Sequence, residues 1–342
     1  MQIIVSLSLQ NYKNSMDIKD IENRIFTIST EREFNDISLE IFHFQYNNVI
    51  IYKQFIDSIK ENIHSINNYT QIPFLPIEFF KTHRVISKGA KEQKVFLSSG
   101  TTGTVQSRHF VTDLSLYEKS FLKGFEYFYG APSKYKFLAL LPSYLERKGS
   151  SLIYMAEKLI EKSGKSGSGF FLHNYDKLAK LLSETKTDDV FLLGVTYALL
   201  DLAKKYDLNL KSAIVVETGG MKGHRTEMVR NELHGILTNR FNKSKIHSEY
   251  GMTELLTQAY SKGDGIFHTP PWMKILIRDT NDPLSLIETG KTGGINIIDL
   301  ANIFSCSFIA TQDLGKRYSD DSFEILGRFD SSDIRGCNLL VG

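Results

Sequence analysis

The apolar positions of this chain change period along its length. Over residues 15–65, Phe42, Phe44, Ile50, Ile51, Phe55 and Ile59 recur at helical spacing among charged residues, which predicts a helical N-terminal region. Pro73 and Pro76 break that pattern and predict an extended connector. Short apolar runs then alternate with helical patterns. Strands are predicted at Lys136–Leu141, Gly169–Leu172, Val190–Gly194, Ala213–Val216 and Ile246–Ser248. Helices are predicted at Ser151–Lys162, Tyr175–Ser183, Tyr197–Tyr206 and Thr226–Phe241, the last with Met228, Val229, Leu233, Ile236 and Leu237 on one side. Strands separated by helices of this length imply a parallel sheet covered on both faces. Beyond residue 265 the helical period fades, and Trp272–Arg278, Gly294–Leu300 and Phe304–Ala310 read as strands. The expected class is α/β: a mainly parallel sheet flanked by helices, plus a β-rich C-terminal subdomain. Its expected parts are a helical region over 1–70, a nucleotide-binding core over 71–265 and a β-rich unit over 266–342 that ends in a short tail.

Composition narrows this reading. At 342 residues and 42% apolar content the chain can fill a sizeable core. A formal charge of +2 gives no bulk attraction for nucleic acid. Two cysteines, Cys306 and Cys337, make no disulfide framework, so a reducing cytoplasm is the expected setting. The N-terminal Ile3-Ile4-Val5 is soon interrupted by Gln10, Asn11 and Lys13, unlike a signal peptide. No run approaches the ~20 apolar residues of a membrane span.

The candidate chemistry starts at Ser98-Ser99-Gly100-Thr101-Thr102-Gly103-Thr104, directly after the apolar run Val95-Phe96-Leu97. Gly100 and Gly103 let the backbone bend close to a ligand. The hydroxyls and exposed N–H groups suit phosphate oxygens. No Gly-Lys-Ser/Thr closes the loop, so it is not a P-loop. Further along stand Ser248-Glu249-Tyr250-Gly251-Met252-Thr253-Glu254, Thr311-Gln312-Asp313-Leu314-Gly315, and Gly327-Arg328 leading to Arg335-Gly336-Cys337.

In this order the four motifs resemble the adenylate-forming superfamily of acyl-CoA synthetases, luciferases and peptide-synthetase adenylation domains. The ending, and the segment Ile72-Pro73-Phe74-Leu75-Pro76-Ile77-Glu78-Phe79-Phe80-Lys81, look like the LuxE-type acyl-protein synthetases. The resemblance covers roughly residues 70–342. It implies an AMP-forming ligase that joins a carboxylic acid, expected to be fatty, to the α-phosphate of ATP with Mg²⁺.

By resemblance, Ser98–Gly103 holds the β- and γ-phosphates. The superfamily continues with Pro-Lys, where this chain has Val105-Gln106, and Arg108 is a candidate substitute. Gly219 and Gly220 form a wall of the adenine pocket. Lys222, His224 and Arg225 after them read equally as a phosphate contact or a solvated basic turn. In Tyr250-Gly251-Met252-Thr253-Glu254, the tyrosine ring can stack on adenine and the glycine gives clearance. The threonine hydroxyl can bond the α-phosphate, and Glu254 can hold Mg²⁺, a hard ion that prefers oxygen ligands. Asp313 matches the aspartate that bonds ribose hydroxyls, with Gln312 in place of the usual glycine. Arg328 matches an arginine reaching ribose and phosphates.

The resemblance also implies that a C-terminal domain of ~100 residues with a catalytic lysine is lacking. Coenzyme A ligation is then disfavoured, and Cys337 is the candidate acyl acceptor, with Arg335 able to lower its pKa. Cys306, in an apolar strand pattern, reads as core. The acyl pocket is expected near Leu141–Arg147, at a strand end. An acceptor protein such as a reductase or carrier protein is the expected partner. Two alternatives stay open: a coenzyme A or carrier-protein ligase, and a nucleotide-binding scaffold without catalysis.

Overall fold

The computed structural model describes residues 18–99, 105–142, 149–184, 189–219 and 228–329. Gly100, Thr101, Thr102, Gly103, Gly220, Lys222, His224, Arg225, Arg335 and Cys337 lie outside the described residues, as does most of the expected acyl-pocket segment.

Three helices open the described chain: α1 (Ile18–Ile25), α2 (Glu31–Asn48) and α3 (Ile50–Ser58). A capping box starts α2, in which Thr30 Oγ1 accepts from Glu33 N at 3.2 Å and the Glu33 carboxylate accepts from Thr30 N at 3.0 Å. The apolar stripe Phe34, Ile37, Ile41, Phe42 is buried. The Gln45 amide, on the same helix and fully buried, donates to the carbonyls of Asn302 (2.9 Å) and Ile303 (2.8 Å). The helical layer is thereby tied to the far end of the sequence. The proline connector becomes a two-residue strand, β1 (Leu75–Pro76), parallel to β13 (Phe308–Arg317). The short helix α4 (Phe79–Thr82) follows it.

Strand β2 (Lys94–Leu97) precedes the glycine-rich loop as expected. The chain then turns back as β3 (Arg108–Val111), making a separate two-stranded antiparallel sheet. Asp113 caps α5 (Leu114–Tyr129), accepting from Ser115 N at 2.8 Å and Leu116 N at 3.3 Å. The alternating stretch is β4 (Lys136–Leu140), α6 (Ser151–Ser163), β5 (Gly169–Phe170), α7 (Tyr175–Glu184), β6 (Val190–Val195), α8 (Thr196–Lys205), β7 (Ile214–Thr218), α9 (Arg230–Arg240) and β8 (His247–Tyr250). Strands β5, β4, β6, β7 and β8 lie side by side and parallel. All six residues of β6 are buried, as a strand covered on both faces requires.

Antiparallel strands continue the same sheet: β9 (Ala259–Ser261), β10 (Ile266–His268), β11 (Met273–Arg278), β12 (Thr292–Asp299), β13 and β14 (Phe323–Arg328). The order is β11-β12-β13-β14-β10-β9-β8-β7-β6-β4-β5, so the β-rich part and the parallel part form one surface. No described helix is long and apolar enough to cross a membrane.

Two expected boundaries shift. The helix expected from Thr226 starts at Arg230. Val229 has extended dihedrals (φ −62°, ψ 136°) and is exposed rather than on the buried stripe, while Leu233 and Leu237 are buried. The strand expected from Phe304 starts at Phe308, because Asp299 and Asn302 fold residues 299–307 into a loop. Asp299 N donates to the Ser307 carbonyl at 2.8 Å, and Asn302 Nδ2 to the Cys306 carbonyl at 2.9 Å.

Candidate functional site

The parallel strands end together, and open α/β sheets bind ligands beyond those carboxyl ends. Strand β7 ends at Thr218 and Gly219, and β8 runs out through Tyr250 into Gly251-Met252-Thr253-Glu254. Residues 251–258 form turns, not a helix. At Gly251 a Cβ would lie 2.5 Å from Glu249 Oε1, so any side chain there would displace that carboxylate.

Side chains from distant strands hold this turn. His109 of β3 places Nδ1 2.8 Å from the Thr253 carbonyl and Nε2 3.1 Å from Asn302 Oδ1. Asn302 Nδ2 donates to the Glu254 carbonyl at 2.8 Å as well as to Cys306. Asp299, fully buried, accepts from Leu256 N (2.7 Å), Thr257 N (3.0 Å), Thr257 Oγ1 (2.6 Å) and Ala301 N (3.2 Å). The turn is thus over-determined although it has no ladder of its own. Burial lowers the His109 pKa to about 4, so the ring is neutral near pH 7 and its single N–H can be donated to only one of these two oxygens.

The glycine-rich loop meets the same turn through its neck. Ser98 N donates to the Ser107 carbonyl at 3.1 Å, and Ser107 N donates to Ser98 Oγ at 2.9 Å. Gln106 Nε2 donates to the Ser98 carbonyl at 2.8 Å. Ser99 is exposed. The buried Ser107 lies close enough to the Glu254 carboxylate for its hydroxyl to favour the charged form. Burial raises the Glu254 pKa; the nearby Ser107 hydroxyl and the positive charges of Arg328 and Lys81 oppose that rise.

A second constellation lies beside it. Asp313 of β13 and Arg328 of β14 are cross-strand partners, and Arg328 Nε donates to Asp313 Oδ1 at 2.9 Å. Tyr250 Oη donates to Asp313 Oδ2 at 2.7 Å. The Tyr250 ring packs edge-on against Phe267 and Phe323, with centroids at 6.1 and 5.9 Å. Three residues singled out in the sequence therefore touch one another. Asp313 is 7% exposed and Arg328 54%, so the arginine faces outward and the carboxylate inward. Met252 packs against the core, and Arg108 is exposed, its guanidinium 5.8 Å from the Phe110 ring centre. Cys306 is buried, its thiol donating to the Phe308 carbonyl, and burial pushes its pKa up to about 12, which leaves it unreactive.

Several residues of the site carry no sequence signal. Glu249 is buried beside Tyr250, its carboxylate accepting from Thr218 Oγ1 at 2.6 Å, and burial raises its pKa to about 7. Glu217 on β7 accepts from Thr196 Oγ1 at 2.5 Å and is likewise raised by burial. His109, Asn302, Asp299 and Ser107 also went unread, being isolated polar residues in apolar or loop contexts. Among the described residues no group of three or more His, Cys, Asp or Glu side chains could hold a metal ion. A cation at Glu254 would have to complete its shell with phosphate oxygens and water, as Mg²⁺ does.

No protein-family model matches the chain, and no curated protein does. Solved structures do. ATP-bound MatB from Rhodopseudomonas palustris matches with a TM-score of 0.53 and 18% identity, over 80% of this chain and 52% of that one. A 2-hydroxyisobutyryl-CoA ligase in the postadenylation state, in complex with R3-HIB-AMP, matches with a TM-score of 0.63 and 10% identity, over 90% and 70%. The open conformation of that ligase, with 2-HIB-AMP and CoA, matches at 0.60 and 10%, over 88% and 71%. This chain spans about half the length of the MatB structures it matches. Its large sheet, parallel through β5, β4, β6, β7 and β8 with an antiparallel extension, is a fold shared with these ligase structures.

Proposed function

We propose that this protein activates a carboxylic acid as an acyl adenylate with ATP and Mg²⁺, and passes the acyl group to a thiol. The observation that carries the reading is convergence. Strand β3 beside the neck of the glycine-rich loop, the Tyr250–Glu254 stretch and the Asp313–Arg328 pair lie far apart in sequence yet meet in space: His109 bonds the Thr253 carbonyl, and Tyr250 and Arg328 both bond Asp313. In this reading a carboxylate oxygen attacks the α-phosphorus, the bond to the bridging oxygen breaks, and pyrophosphate leaves. Residues 98–103 receive the β- and γ-phosphates, Thr253 the α-phosphate and Asp313 the ribose hydroxyls. Arg328 faces ribose and phosphate, Tyr250 and Gly219-Gly220 border the adenine, and Glu254 holds the ion. Bound Mg²⁺ would neutralise charge on the phosphates. Catalysis by this site is positioning and electrostatic stabilisation.

The finer reading is a LuxE-type acyl-protein synthetase acting on a fatty acid in the cytoplasm. There the Cys337 thiolate attacks the acyl carbonyl, AMP leaves, and an acceptor protein takes the acyl group. A second reading, a coenzyme A or carrier-protein ligase, is favoured by the structural likeness to a ligase solved with CoA. Labelling with radioactive acid separates the two. Cys337→Ser should keep ATP–pyrophosphate exchange nearly intact and lose a label that neutral hydroxylamine cleaves from the wild type. A serine variant that keeps such a label removes Cys337. A wild type that makes adenylate but never labels supports the second reading.

A further inference from the structure

We propose that Lys81 is a phosphate-contacting residue of this site, its ammonium group binding the oxygens of the ATP phosphate chain; the proposal rests on the adenylation reading for the identity of the ligand. Helix α4 is pinned between two strands that carry site residues. Phe80 is buried and meets the His109 ring edge-on at 5.8 Å. Ile77 N donates to the Ala310 carbonyl at 3.0 Å. The Glu78 carboxylate accepts from Nε2 of Gln312 at 2.5 Å, and Gln312 directly precedes Asp313. Glu78 already has helical dihedrals (φ −60°, ψ −25°), so Lys81, three residues on, lies on the same face.

Lys81 is half-buried and has no hydrogen-bond or ion-pair partner among the described residues. Its charge reaches Glu254. Of the other described basic groups, Arg328 shares its guanidinium with Asp313, and Arg108 lies out over Phe110. Gln106 stands where the loop's resemblance places a lysine, and its amide is bound to the Ser98 carbonyl. The site therefore has one half-buried ammonium group near enough for its charge to act on Glu254, with no hydrogen-bond or ion-pair partner among the described residues. Lysine serves phosphate as a compact point charge.

The test uses the full chain and Mg·ATP by titration calorimetry, with ATP–pyrophosphate exchange measured in parallel. Lys81→Met should weaken ATP binding about 10-fold or more, the scale of a charge-assisted hydrogen bond. It should slow exchange about 100-fold. Lys81→Arg, which keeps the charge, should bind within a few-fold of wild type. Unchanged ATP affinity in the methionine variant overturns the assignment. So does equal weakening in both variants, which would point to packing rather than charge. A wild type that binds ATP but exchanges with no acid overturns the adenylation reading, and the calorimetric ratio then decides Lys81 alone.

Discussion

The turn after β8 and the β13–β14 pair both present site side chains, but they are held by opposite means. Thr253 and Glu254 sit on irregular backbone whose polar groups are met by buried side chains of His109, Asn302 and Asp299. Asp313 and Arg328 form the end pair of the β13–β14 ladder, next to a bulge at Leu314–Gly315, and the strand register sets them opposite one another. Unmet buried polar groups are destabilising, so the turn depends on every member of its network. The ladder has backbone bonds to spare. Remote substitutions should therefore disable the turn, while the ladder should respond only to changes in the two side chains themselves.

Asp299→Ala should break the comparison most severely. It strands four donors, and the fold should lose at least about 3 kcal/mol, read as a fall in the denaturant midpoint. A loss below about 1 kcal/mol would mean the network is not what holds the turn. Glu254→Gln comes next. It keeps the shape of the side chain, so stability should hold while acyl-adenylate formation slows about 10²-fold or more. Rates within twofold of wild type would remove Glu254 from the chemistry. On the ladder side, Asp313→Ala should leave the fold standing and weaken ATP binding by about 1.5–3 kcal/mol, the range for a hydrogen bond to a charged group. Equal ATP affinities would place the ribose elsewhere.

The smallest effect is a pH dependence. Glu249 lies under the turn with its pKa raised by burial to about 7, above an unfolded value near 4.5. Between those values the folded state binds the extra proton, so the Glu249 contribution to stability is complete below pH 4.5. It is lost as pH rises to about 7, by at most about 3 kcal/mol. Glu249→Gln cannot ionise and should lack this slope. The stability of wild type relative to that variant should fall between pH 4.5 and 7.5. A constant difference would show that Glu249 ionises normally.

The two regions also differed in how readable they were. Asp313 and Arg328 fall within local motifs, although neither lay on an expected strand: the expected strand ended at Ala310 and β14 was not foreseen. Tyr250 to Glu254 is marked by its own spacing, and the fully apolar Val190–Gly194 predicted a covered strand correctly. The network beneath the turn was not legible. His109 lies in Arg108-His109-Phe110-Val111, Asp299 ends an apolar run, and Asn302 precedes another. Each is one polar residue whose partner lies far away in sequence, such as the 144 residues between His109 and Thr253. Periodicity reports which face is buried, not which carbonyl a buried amide will meet. The same blindness placed the start of β13 at Phe304: the apolar character of Phe304 favoured a strand, while the loop depends on Asp299 and Asn302.

The central claim is that these separate motifs form one adenylating site. A single-turnover reaction of the full chain with α-labelled ATP, Mg²⁺ and a panel of carboxylic acids tests it directly. The account predicts acid-dependent acyl-AMP and pyrophosphate in the wild type, and a yield reduced about 10²-fold in Glu254→Gln. ATP that binds without acid-dependent acyl-AMP, or that is cleaved to ADP instead, would contradict it.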